Sequence, residues 1–169
     1  MKAVGQVKRA VAAAIKAAGC AAIESYSEEQ LKRYATAVAA VGTKETVIEE
    51  SGAAQYLGEK VDEATQETVS VYGRKMLLTL LIEVYAPRTL GAAGCEKAAE
   101  VVTQALMTAL PEGLKLGSLQ WGKTGWDKTT GMFRLDASAK YAAYFVAEAA
   151  EDETVFTDFI LKGTVKERE

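Results

Sequence analysis

The chain contains no histidine. With it go the commonest general base, the Ser-His and Cys-His nucleophile pairs and nearly all catalytic zinc sites. Cysteine is almost absent too. Cys20 and Cys95 are too few for a disulfide framework or a four-cysteine zinc site, and read as two buried free thiols of a reducing compartment. Two prolines in 169 residues argue against a disordered or linker-rich chain. No apolar run approaches the roughly 18 residues that suggest a membrane-spanning helix. There is no basic block, and the net charge of −3 offers no generic nucleic-acid-binding surface. Ala17-Ala18-Gly19-Cys20 loosely resembles a lipoprotein cleavage site. Lys16 interrupts its apolar core, however, and that core is about six residues of mostly alanine where seven to fifteen are usual. The expectation is a cytoplasmic chain that carries no metal or cofactor.

What is present is an ordinary globular composition, 49% hydrophobic and 25% charged, long enough for one self-sufficient domain over residues 1–169. The clearest pattern runs from Met132 to Ala147. Phe133, Leu135, Ala137, Ala139, Tyr141, Ala143, Phe145 and Ala147 alternate with Met132, Arg134, Asp136, Ser138 and Lys140. Side chains of a strand alternate between faces, so this predicts one apolar and one polar face. Sixteen residues would span roughly 50 Å, far beyond a usual strand. Such a strand must bend, or overrun its own domain and pair with something else.

Residues 2–18 carry Val4, Val7, Val11, Ala14, Ile15 and Ala18 at helical spacing, with Gly19 as the stop. A short strand is expected over Ala21–Tyr26, and Ser27 with Gln30 has the form of a capped helix start running to about Tyr34. Thr36–Glu50 is rich in β-branched residues, with a bulge or break expected around Gly42. Residues 51–65 read as an acidic loop. Thr68–Tyr85 reads as a central strand covered on both faces up to Leu81, bent at Gly73 and ended by Pro87. A second helix is expected over 92–110, burying Cys95, Ala98, Ala99, Val102, Ala105, Leu106, Ala109 and Leu110. Leu114–Trp121 reads as a strand and Gly122–Gly131 as a hairpin loop. A last strand, Thr154–Val165, is expected after the acidic turn Glu151-Asp152-Glu153. The predicted fold is α+β, a mixed, mainly antiparallel sheet with two helices packed on one face.

Each sign of chemistry has a plainer alternative. Gly117–Thr124 matches GxxxxGK[ST] formally, but a phosphate loop needs a helix opening at its lysine, and Gly125-Trp126-Asp127 looks like a turn. Glu83, Asp136 and Lys140 hold groups for a paired-carboxylate hydrolase, but a solvated sheet face explains them as well. Trp121, Trp126, Tyr141 and Tyr144 suit an aromatic ligand pocket, a core, or protein-interface anchors. Cys95 near a helix start invites a lowered pKa, yet a histidine-free chain gives it no partner base.

Tyr72-Gly73-Arg74, leading through Leu77–Ile82 into Glu83-Val84-Tyr85-Ala86-Pro87, resembles the tail terminator and tail-completion proteins of long-tailed bacteriophages and their prophage relatives. Further along, the helix around Gly94-Cys95-Glu96, then Gln120-Trp121-Gly122, Trp126-Asp127, Gly131–Arg134 and Thr157–Gly163 follow in the same places. Thr36–Gly52 departs from the shorter members. The resemblance implies a non-enzymatic α+β subunit that assembles as a homo-oligomeric ring, commonly hexameric, at the head-proximal end of the tail tube. It would meet the tube and the neck or head-completion proteins, in the cytoplasm during assembly and then in the virion tail. It implies no cofactor, no membrane and no specific nucleic-acid binding. Assembly contacts are expected in 44–67 and 122–131, with Glu49, Glu50, Arg74, Trp121, Trp126 and Tyr144 as candidate interface residues. The acid-rich segments 44–67 and 148–158 are placed by this reading at a lumen that repels DNA. The alternatives are a small-molecule-binding α+β domain, or another assembly protein of the same fold.

Overall fold

A computed structural model describes residues 2–24, 27–50, 55–61, 66, 68–111, 113–146, 148–150 and 153–155. The elements run α1 (Lys2–Ala17), β1 (Ala21–Ile23), α2 (Glu28–Leu31), β2 (Val38–Glu50), β3 (Tyr56–Val61), β4 (Thr68–Ala86), α3 (Gly91–Thr108), β5 (Lys115–Trp121), β6 (Gly125–Asp127), β7 (Met132–Val146), β8 (Glu148–Ala150) and β9 (Glu153–Val155). Strands β1 to β7 form one sheet in the order β1-β2-β4-β7-β5, with β3 paired to β4 and β6 to β7. Among the described residues only β1 with β2 pairs in parallel. The remaining pairs are antiparallel, as the α+β reading expects.

The main core lies between one face of the sheet and the two long helices. From α1 come Val4, Val7, Val11 and Ile15, and from α3 Cys95, Val102 and Leu106. The sheet supplies Met76, Leu78, Leu80, Ile82 and Val84 of β4 and Leu135, Ala137, Ala139, Tyr141 and Ala143 of β7. The alternation of β7 thus buries the face predicted for it. Helix α1 ends at Ala17, just before the expected stop at Gly19, whose φ of +93° a side chain would resist. Ala18, expected on its stripe, is exposed because the helix has already stopped. Ala109 and Leu110 likewise lie past the end of α3.

A second, smaller cluster sits on the opposite face. There Leu31 of α2 covers Val38, Ala40, Tyr85 and Met132. Ser27 caps α2 in a reciprocal box with Gln30, and the helix stops at Leu31, short of Tyr34. Leu77 and Leu81, expected under a second layer, are only half-buried. The short α2 reaches the Tyr85 end of β4, so that face is covered at one end rather than along its length.

Several other boundaries differ from expectation. The bulge expected around Gly42 falls between Thr43 and Glu45, where one extra residue enters the ladder. Residues 51–65 are not wholly a loop, since Tyr56–Val61 forms β3 against β4. Gly58, at φ +136°, lets that acidic segment pair despite its irregular register. The loop 122–131 contains β6, and Glu153 belongs to a strand, where a turn residue was expected. Ala147 and the expected strand from Phe156 onward lie outside the described residues.

Candidate functional site

Strand β4 is 19 residues long, and the helices cover only its later part. Met76 is the first of its residues in the main core, so Thr68–Lys75 runs past the helix layer by roughly 25 Å. Strand β2 accompanies it. Val38–Val41 are buried, whereas Thr43–Glu50 are exposed apart from Thr46. The pairing continues into β3 in chain order, with Glu50 opposite Arg74 and Tyr56 opposite Tyr72. The result is a β-arm projecting from the packed body.

Apolar side chains lie open on this arm and beside it. Val47, Ile48, Tyr56, Val61 and, on β7, Tyr144 are between 39% and 52% exposed. Tyr56 meets Tyr72 edge to face, with ring centroids 5.7 Å apart. On the face away from α1 and α3, Val47, Leu77 and Ala142 share one rung of the sheet. Exposed clusters of large apolar side chains characterise surfaces that bind other proteins.

The register brings four of the six candidate interface residues to the root of this arm. Glu49, Lys75 and Tyr144 form one rung, and Glu50, Arg74 and Phe145 the next. Trp121 and Trp126 are elsewhere. Trp126 is exposed at the other end of β7, roughly 35 Å away, edge to face with Phe133 at 5.1 Å. Trp121 is half-buried on the helix side, where its Nε1–H donates to Thr103 Oγ1 at 3.0 Å. Thr103 in turn donates to the Ala99 carbonyl at 2.7 Å. An open groove of about 410 Å³ runs here between α3 and the end of β5. Glu96, Glu100 and Gln104 border it, with Ala99, Trp121 and Leu135 as its apolar part.

The groups that suggested catalysis are disposed otherwise. Glu83 and Asp136 are opposite one another on neighbouring strands, as a carboxylate pair needs to be. Arg134 occupies both: Nη2 lies 2.8 Å from Glu83 Oε1, and Nε donates to Asp136 Oδ1 at 2.6 Å. Tyr85 donates its hydroxyl to the same Glu83 oxygen at 3.2 Å. Burial works against the charge on Arg134, but the Asp136 hydrogen bonds and the charge of Glu83 outweigh it and raise its pKa. Both carboxylates are thereby tied to a permanent cation. Lys140 stands apart, opposite Thr79.

Nor do the other signals converge. Gly117–Trp121 lie in β5 and Gly125 opens β6, so the GxxxxGK[ST] match is strand and turn, without the helix a phosphate loop requires. Tyr141 is buried in the core, apart from Trp126 and Tyr144. Burial pushes the Cys95 thiol up to about 11, the reverse of activation. Its Sγ–H points to the Phe133 carbonyl at 3.2 Å. Among the described residues, no group of three or more Cys, Asp or Glu is placed to hold a metal ion. No described helix is long and apolar enough to cross a membrane.

No family model matches the chain, and no curated protein matches it. Among solved structures, a chain of the "Virion of native gene transfer agent (GTA) particle" is similar at 20% identity with a TM-score of 0.38, covering 85% of this chain and 92% of that one. At that TM-score the similarity does not establish a common fold.

Proposed function

We propose that this chain is a non-catalytic structural subunit of a phage-like virion, and more narrowly a tail terminator that assembles as a ring on the tail tube and joins it to the neck. The observation that supports it is the overrun of the sheet: β2, β3 and β4 leave the packed body carrying open apolar side chains. A protein that acted alone rarely leaves several large apolar side chains open side by side. A subunit needs them to meet its neighbours.

The sequence idioms from Tyr72 to Pro87 and from Gln120 to Arg134 supply the narrower identity. In this reading Glu49 and Tyr144 act on one face of the arm's root and Glu50 and Arg74 on the other, while Trp126 anchors a separate contact. Glu45 and Glu49, which share one face of the arm, keep a passing DNA from sticking if that face lines the ring's channel.

Electron microscopy of tail tubes polymerised with and without the purified chain tests this reading. Rings seated on tubes of arrested length are expected. Tubes that grow unchecked, with no density at their ends, would remove the terminator assignment. Tight DNA binding would remove the role given to the acidic arm.

A further inference from the structure

The two lateral margins of the domain differ in charge. Helix α1 lies over β1 and β2, and β1 is the outer strand on that side. Helix α3 lies over β4, β7 and β5, and β5 is the outer strand on the other. Over its 16 residues α1 carries Lys2, Lys8, Arg9 and Lys16 and no acid. Gln6, Arg9, Ala13, Lys16 and Ala17 are exposed at intervals of three and four with one adjacent pair, which makes a single stripe on the helix. At the far margin, the α3 groove presents Glu96 and Glu100 beside the indole of Trp121.

We propose that the occupant of this groove is the α1 stripe of a second copy of the chain, so that subunits associate head to tail. The inference rests on the ring reading above and names its interface. Arg9 and Lys16 are seven residues apart, roughly 10 Å along the helix, and Glu96 and Glu100 four residues, roughly 6 Å, a difference that the long arginine and lysine side chains can span. Ala13 and Ala17 between and beside them leave room for the backbone to approach the Trp121 ring. Lys97, the exposed base of α3, does not line the groove. Arg9 lies 3.9 Å from Glu24 on its own chain, but both are largely exposed and such a pair is weak enough to exchange. Because the two surfaces sit on different margins the contact is heterologous, the kind that closes into a ring when its rotation permits.

Sedimentation velocity on the full-length chain tests this with three variants, each checked for native circular dichroism. Arg9→Glu with Lys16→Glu, and separately Glu96→Lys with Glu100→Lys, should each weaken self-association by roughly a hundredfold, since like charges then face each other. All four changes in one chain should restore it. Association unchanged in the first two variants, or not restored in the third, overturns this interface and leaves the ring standing. A wild-type chain that never self-associates overturns the ring, and this interface with it.

Discussion

Arg134 reaches Glu83 at 2.8 Å on the face of the sheet that α1 and α3 leave uncovered, and it holds Asp136 as well. The Glu83 side chain is only 8% exposed and Arg134 36%, so the pair is more than surface decoration. Replacing Arg134 with Met strands a buried carboxylate. It should lower the unfolding free energy by about 2–3 kcal/mol, near the low end for buried pairs because Arg134 keeps some solvent. Asp136→Asn should cost less than about 1 kcal/mol, since its side chain is 43% exposed. Urea titrations with unchanged slope would measure both.

The Cys95 thiol should be inert in the native protein. It is fully buried, and burial raises its pKa from 9.0 to about 11. A disulfide reagent at pH 8 should react with it only at the rate of unfolding or local opening. A group with a raised folded pKa favours the native state fully below its unfolded value. That contribution should be lost as pH climbs from 9.0 through about 11, and Cys95→Ala should flatten this part of the stability profile. Rapid labelling under native conditions would show the core around α3 to be open.

Tyr141 is buried, and among the described residues its hydroxyl has no hydrogen-bond partner. Burial alone raises its pKa. Removing an unsatisfied buried hydroxyl while keeping the ring is favourable, so Tyr141→Phe should raise stability by about 1 kcal/mol. A loss of similar size in thermal or urea unfolding would mean that the hydroxyl is satisfied in solution.

Val47 and Tyr144 are 39% and 40% exposed near the root of the arm, so each keeps part of its side chain against the isolated fold. Val47→Asp with Tyr144→Ser should therefore lower the unfolding free energy by about 1–2 kcal/mol and leave the chain folded. The same variant should fail to associate or to arrest tubes. If assembly survives, the arm is not the surface that meets other subunits.

Much of this architecture was legible because the relevant elements have strong periods. The alternation of Met132–Ala143, the apolar β4 run and the three-and-four spacing of α1 and α3 each state which face is buried. The positions that escaped lack such a period. β3 is short and turns through Gly58, and β6 is only Gly-Trp-Asp. The Glu83–Arg134 pair needed the β4–β7 register, which no single strand contains. One local clue was available: Glu83 interrupts an apolar run ending in Val84-Tyr85, and a carboxylate there needs a cation. The clustering of Glu49, Glu50, Arg74 and Tyr144 depends on the same kind of long-range pairing.

Sedimentation equilibrium of the unmodified chain, from dilute to concentrated solution, bears most directly on whether it is built to meet copies of itself. A reversible rise from the 18.1 kDa protomer to one fixed multiple of that mass is expected, and that species should be the closed ring. A mass that stays at 18.1 kDa throughout would contradict it.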